Sequence, residues 1–204
     1  MKNMLKEAAI LFAITLIAGC LLGLVYQVTK DPIAQAQEKA KEEASKEVFA
    51  DADSFRLRED ITSEDADKVV ADAGYNVSVD EVSEAVDASG NVIGYVITVT
   101  DHEGYGGDIQ FSMGIRNDGT LNGISILSIS ETAGLGMNAD SVLKPQFENK
   151  KAELFSYTKT GAQSADQIDA ISGATITTNA IVNGVNAGLT CFKTMLMGGG
   201  TANE

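Results

Sequence analysis

The sequence predicts an α+β chain: one N-terminal transmembrane helix, a helical stalk, then a compact domain of antiparallel sheet with flanking helices. Three observations predict it. Residues 8–28 form an almost charge-free apolar run. Between residues 77 and 129, β-branched stretches alternate with Gly, Asn and Asp turns. Beyond Thr175, the residues Ile181, Val185, Leu189 and Phe192 share one helical face, which Leu196 continues. The expected divisions are 1–30 for the anchor, 31–74 for the stalk or linker, 75–197 for the domain and 198–204 for a disordered tail.

Composition excludes several function classes. The chain has 204 residues, 29 acidic against 15 basic, and a net charge of −14. No basic patch with interleaved aromatics exists, so nucleic acid is not an expected partner, and the acidity reads as a solvated surface. Cys20 lies in the apolar run and Cys191 in the last helical pattern, so no disulfide joins them. With no C-x-x-C and His102 the single imidazole, the chain lacks ligands for zinc or an iron–sulfur cluster. The same scarcity leaves no Ser–His–Asp or paired-carboxylate hydrolase set, and no catalytic residue is assigned.

The run from Ala8 to Val28 meets the roughly 20 apolar residues that a bilayer-crossing helix needs. Tyr26 and Lys30 sit where interfacial anchors belong. A cleaved signal peptide is the competing reading, against which stand the long apolar core and the lack of an A-x-A site. Ile17-Ala18-Gly19-Cys20 resembles a lipobox with Cys20 as the lipidated residue, but Leu21 to Val25 stays apolar beyond it, as a span requires. Lys2 and Lys6 precede the run while Lys30, Lys39, Lys41 and Lys46 follow, so the basic residues do not orient it.

Asp31-Pro32 reads as the N-cap and first residue of a new helix, and the Ala, Gln, Glu and Lys from Ile33 to Val48 read as its solvated body. Ser63 to Ala73 is a short helix. Strands follow in the run from Val77 to Val86, then Val92 to Val99, Ile109 to Ile115 and Leu121 to Ile129. Ser89-Gly90-Asn91 and Asn117-Asp118-Gly119 supply the turns, with Gly123 a candidate bulge. A helix starting near Asn138 or Asp140 is interrupted at Pro145.

The chemistry is concentrated at Asp169-Ala170-Ile171-Ser172-Gly173-Ala174-Thr175. Small turn residues open a helix there, and unpaired N–H groups with the helix dipole make a place for phosphate. An ordinary capped helix fits the same residues. Two glycine-rich loops precede it, Gly104-Tyr105-Gly106-Gly107 and Glu131-Thr132-Ala133-Gly134-Leu135-Gly136. They suit a slot for a flat ring with nearby amides, or two plain turns.

Taken in order, these motifs resemble the FMN-binding domain shared by RnfG, of the Rnf electron-transport complex, and NqrC, of the sodium-pumping NADH:quinone reductase. The likeness covers roughly Val92 to Leu196, and the anchor and stalk fit the same proteins. It implies FMN held covalently, through a phosphoester to Thr175 made by a flavin transferase that recognises Asp169. It further implies flavin-site residues Ser172, Gly173, Ala174, Glu131, Thr132, Gly134, Leu135 and Gly136. Many relatives carry histidine before the glutamate and proline after the threonine, where this chain has Ser130 and Ala133.

The single anchor and compact domain resemble RnfG more than NqrC. The implied function is electron transfer within an ion-translocating ferredoxin:NAD⁺ oxidoreductase complex, as a redox component rather than a complete enzyme. Its implied partners are the other membrane proteins of that complex. The implied location is the cell membrane, single-pass, with the soluble domain outside the cytoplasm. The alternatives are an NqrC-type protein or a stand-alone flavinylated surface protein for extracellular electron transfer.

Overall fold

A computed structural model describes residues 2–197; the expected disordered tail at 198–204 lies outside them. The chain separates into two compact units, 1–40 and 41–204. Helix α1 spans Lys2–Val48, and its apolar side chains from Met4 to Val28 are exposed. By length and composition it is able to cross a bilayer. The expected helix start at Asp31-Pro32 does not occur, because α1 runs through Pro32 without a break. Proline removes the donor for the Val28 carbonyl, a cost of about 3 kcal/mol. The good helix formers on both sides outweigh it.

The second unit is built on one five-stranded antiparallel sheet in the order β1-β2-β3-β4-β5: β1 (Ser54–Leu57), β2 (Val77–Val86), β3 (Val92–Asp101), β4 (Ile109–Arg116) and β5 (Leu121–Ser128). Helix α2 (Ser63–Asp72) starts at Thr62, whose hydroxyl accepts from the Asp65 N–H. The β2–β3 turn is held by Asp87 Oδ1, which accepts from the N–H groups of Ser89 and Asn91 at 2.8 Å each. Register slips between Gly114 and Ile115, where Gly114 faces Gly123 and Ile115 faces Leu121, so the bulge expected at Gly123 is present. β1 has no counterpart among the strands expected from the sequence. It is a four-residue edge strand with mostly exposed side chains, too short for a period to register.

Beyond β5 come a 3-10 turn (Gly136–Asn138), the one-turn helix α3 (Ala139–Val142) and a second 3-10 turn (Lys144–Phe147) containing Pro145. β6 (Ser156–Thr158) and β7 (Gln167–Asp169) form a small parallel pair, also without a counterpart in the sequence pattern. Helix α4 (Thr175–Cys191) continues into a π-helical turn at Phe192–Met197. Its expected apolar face is buried at Ile181, Val185, Leu189 and Phe192. Gly184 and Gly188 bring α4 close to the sheet: a Cβ on Gly184 would lie 2.7 Å from Phe111, and one on Gly188 2.2 Å from Met113 Sδ.

The other face of the sheet is partly polar. Thr98 and Ser112 share a buried hydrogen bond of 2.9 Å. Within this unit, the last turns of α1 are held by Lys41 to Glu81 at 2.7 Å and by Glu47, which binds Ser125 and Lys144. Phe49 is fully buried just after the helix, with the Arg116 guanidinium 5.6 Å above its ring. Val48's carbonyl accepts from Asn122 at 2.8 Å.

Asp101, at the end of β3, is fully buried under α4. Its Oδ1 accepts from the Glu103 N–H at 2.7 Å, and its Oδ2 has no hydrogen-bond partner among the described residues. Burial pushes its carboxyl up to about 6. A folded-state value above the unfolded one means that stability is greatest at low pH and falls as pH rises through about 4 to 6. Asp101→Asn should therefore stabilise the domain at pH 8 by up to about 3 kcal/mol, at 1.36 kcal/mol per pH unit. The gain should vanish below pH 4; chemical denaturation at pH 8 and pH 4 measures both.

Candidate functional site

The segment leading into α4 is fixed by one threonine. Thr178 turns its hydroxyl inward, where Oγ1 accepts from the buried Ile171 N–H at 3.1 Å and donates to the Ala174 carbonyl at 2.9 Å. The Ala174 N–H donates to the Ile171 carbonyl at 3.0 Å, closing a tight turn through Gly173, whose φ is +78°. That left-handed value suits glycine alone among ordinary residues. α4 consequently begins at Thr175 with Ala174 before it and no side chain capping it. Its first-turn N–H groups and the positive end of its dipole stay available to a ligand.

A cavity of about 470 Å³ opens in front of this helix start. Its walls are Tyr105, Glu131, Thr132, Leu135 and Gly136 on one side, and Gly173, Ala174, Thr175, Ile176 and Thr177 on the other. The structure thus brings seven residues singled out in the sequence to one cavity: Glu131, Thr132, Leu135, Gly136, Gly173, Ala174 and Thr175. Gly134 and Ser172 are not on its wall. Gly134 lies in the adjoining turn at φ +77°, its carbonyl accepting from Asn138, and Ser172 is exposed beside Gly173.

Asp169 is also off the cavity. Its Oδ1 accepts from the Ala162 N–H at 2.7 Å, while its backbone N–H and carbonyl both pair with the Gln146 amide, at 2.7 and 3.1 Å. The aspartate therefore ties two surface loops to β7. Three wall residues are additions to the set expected from the sequence: Tyr105, Ile176 and Thr177. Tyr105 and Ile176 are large, exposed and apolar, at 69% and 52%, and their positions inside the glycine cluster and directly after Thr175 are the available signals.

The glycine loops do not serve only the cavity. A Cβ on Gly106 would lie 2.0 Å from the Ser130 carbonyl oxygen, and one on Gly136 2.6 Å from Thr177 Oγ1. At these positions the close approach that demands glycine is to the protein's own atoms. The loops pack closely onto each other and onto α4.

No Ser–His–Asp set is expected from the sequence, yet three such residues lie in line. Ser78 Oγ is 3.0 Å from His102 Nε2, and His102 Nδ1 is 3.0 Å from Asp108 Oδ1. The Asp108 side chain is 64% exposed, so water competes for it, and none of the three is on the cavity wall. The trio is a clasp at the base of the Gly104–Gly107 loop. Among the described residues no cluster could hold a metal ion. Cys20 and Cys191 are both free; Cys191 is buried, which pushes its thiol up to about 11.

The cavity fits a flavin nucleotide in size and chemistry. Its volume falls in the range of about 300–1,000 Å³ usual for ligand sites. The uncapped N–H groups at Thr175 suit a phosphate, and the apolar surfaces of Tyr105, Leu135 and Ile176 suit a ring. Residues 104–190 match the FMN-binding domain, and residues 1–48 match the RnfG N-terminal region. The G subunit of the Na⁺-translocating ferredoxin:NAD⁺ oxidoreductase complex of Acetobacterium woodii is 32% identical over 197 residues, covering 95% of this chain and 94% of the relative. The G subunit of the ion-translocating oxidoreductase complex of Methanosarcina acetivorans is 34% identical over 191 residues, covering 91% and 93%. A solved structure of the C subunit of the Na⁺-translocating NADH-quinone reductase of Parabacteroides distasonis is similar at 22% identity and a TM-score of 0.48, covering 70% of this chain and 76% of that one. With both segments matched in order and 32% identity across nearly the whole length, the chain belongs to the RnfG family of ion-translocating oxidoreductase complexes, as a membrane-anchored member carrying an FMN-binding domain.

Proposed function

We propose that this chain is the electron-transfer component of a membrane-bound ion-translocating ferredoxin:NAD⁺ oxidoreductase complex, with FMN esterified through its phosphate to Thr175. The observation that carries the reading is the uncapped start of α4: Thr175 is its first residue and lies on the wall of the cavity. A phosphate joined to the Thr175 hydroxyl would meet the first-turn N–H groups and the helix dipole. FMN supplies the redox chemistry when bound. The chain's own residues hold its phosphate, flank its ring and keep one side of the cavity open to a partner.

The cavity also favours a bond over an ionic contact. Its wall residues include no Lys, Arg or His, and they do include Glu131. A free phosphate monoester carries about −1.5 to −2 charges at neutral pH. One helix terminus offers only about half a positive charge against that. Esterification leaves a single negative charge and replaces equilibrium binding by a tether of high effective concentration. The domain belongs outside the cytoplasm in this reading, where lost cofactor is not replenished. A flavin transferase recognising Asp169 installs it, and the neighbouring redox centres sit on the other membrane proteins of the complex.

Protein made together with the transferase should show flavin fluorescence that survives denaturing electrophoresis. Thr175→Ala should lose it completely, and intact-mass analysis finding FMN still attached to that variant would refute the assignment. Thr177→Ala and Thr178→Ala should keep the covalent flavin, since neither hydroxyl is the proposed ester oxygen, although Thr178→Ala loosens the turn before α4. Thr178→Ala should in addition lose about 1–3 kcal/mol of stability by leaving the buried Ile171 N–H without an acceptor. Asp169→Ala should lower flavin occupancy in cells while the domain stays folded by circular dichroism. Occupancy equal to wild type would count against a recognition role.

A further inference from the structure

We propose that Glu131 sets the potential at which the flavin accepts electrons, by holding an uncompensated negative charge at the cavity wall; this rests on the flavin reading above. Both glycine-rich loops close on this one side chain. A Cβ on Gly104 would lie 2.9 Å from Glu131 Oε1, and one on Gly106 3.4 Å from Glu131 Cα. One on Gly136 would lie 2.7 Å from Glu131 Cβ and 2.9 Å from Oε2. The Gly106 N–H donates to Oε1 at 3.2 Å. The half-buried Glu131 side chain thus lies against Gly136 of its own loop and against Gly104 and the Gly106 N–H of the other, while the Gly107 and Ser130 carbonyls set the tightest limits at Gly104 and Gly106.

A brace between two loops does not require a charge. The Gly106 N–H needs only an acceptor, which a glutamine amide oxygen supplies equally well. The carboxylate adds its negative charge, and no basic residue on the cavity wall neutralises it. In a partly enclosed site that charge acts through an effective dielectric well below that of water.

Reduction changes the charge of the ring. When bound, FMN would supply two-electron chemistry that balances as FMN + 2e⁻ + H⁺ → FMNH⁻, the electrons coming from a one-electron redox centre on a partner protein and the proton from water. The ring becomes more negative by one charge, while Glu131 neither gains nor loses an atom. A fixed carboxylate at the wall opposes that gain, so it lowers the potential and makes the reduced flavin a stronger donor. Glu131 is a positioning and charge-setting residue, not an acid or base of the reaction.

Spectroelectrochemical titration of the full-length, flavin-loaded protein tests this. Glu131→Gln should keep the brace and shift the midpoint potential to more positive values. Glu131→Asp, which keeps the charge, should stay nearer to wild type. Thr132→Lys leaves Glu131 in place and puts a cation on the same wall, so it should shift the potential in the same direction as Glu131→Gln. It serves as the measurement should Glu131→Gln fail to retain flavin. An unchanged or more negative potential in flavin-loaded Glu131→Gln overturns the proposal. So does a shift in Glu131→Asp as large as in Glu131→Gln, or no positive shift in Thr132→Lys. Wild-type protein with no attached flavin, despite co-production with the transferase, would overturn the parent reading instead and this proposal with it.

Discussion

The site depends on the direction in which one hydroxyl points. Helices that begin after small polar residues usually spend a side-chain oxygen on their own first turn. Here Thr178 faces backwards and inwards, satisfying Ile171 and Ala174 instead. The helix that follows is stable enough to forgo a cap because nearly all its sides are buried: Ala180, Ile181, Val182, Val185, Ala187 and Leu189 are each at most 3% exposed. Tertiary packing thus stabilises a helix whose N-terminus has no side-chain cap. That terminus is what the cavity presents to a ligand.

The sheet supports this arrangement from two chemically different sides. Under α4 the contacts are apolar and close, with Gly184 and Gly188 letting the helix settle onto Phe111 and Met113. On the other face, hydroxyls and ion pairs meet the last turns of α1, at Glu81, Ser125 and Lys144. Exposed ion pairs contribute little individually. The Phe49 ring, fully buried beneath Arg116, supplies the larger share, since burying a phenylalanine is worth about 1.5–3 kcal/mol.

Under the proposed function, the cavity's charge balance links covalent attachment to a low flavin potential. A site rich in cations would bind free FMN well and would also favour the reduced, more negative ring. A site whose walls include a carboxylate and no cation does neither. In that proposal the ester would compensate for the weak ionic affinity, and the wall could then stay free of cations. Glycine at 136 leaves room for the Glu131 side chain, whereas Gly104 and Gly106 are required first by the Gly107 and Ser130 carbonyls.

Local pattern was enough to read most of the fold. The apolar run from Ala8 to Val28, the strands from Val77 to Leu121 and beyond, and the buried face of α4 all follow from period and turn chemistry, which act over a few residues. The order of the motifs was enough to nominate Thr175 and both glycine loops. Tertiary structure decided the rest. Pro32 stays inside α1 although its dipeptide reads as a helix start, because flanking propensity outweighs one lost hydrogen bond. β6 and β7 are three residues each and are set by pairing with one another and by the Gln146 amide on Asp169. The clasp of Ser78, His102 and Asp108 joins residues that share no sequence pattern. Asp169 lies away from the cavity and Glu131 takes the Gly106 N–H, because each of these depends on contacts between segments far apart in the chain. A side chain's direction is set by its neighbours in space, and a linear sequence names only its neighbours along the backbone.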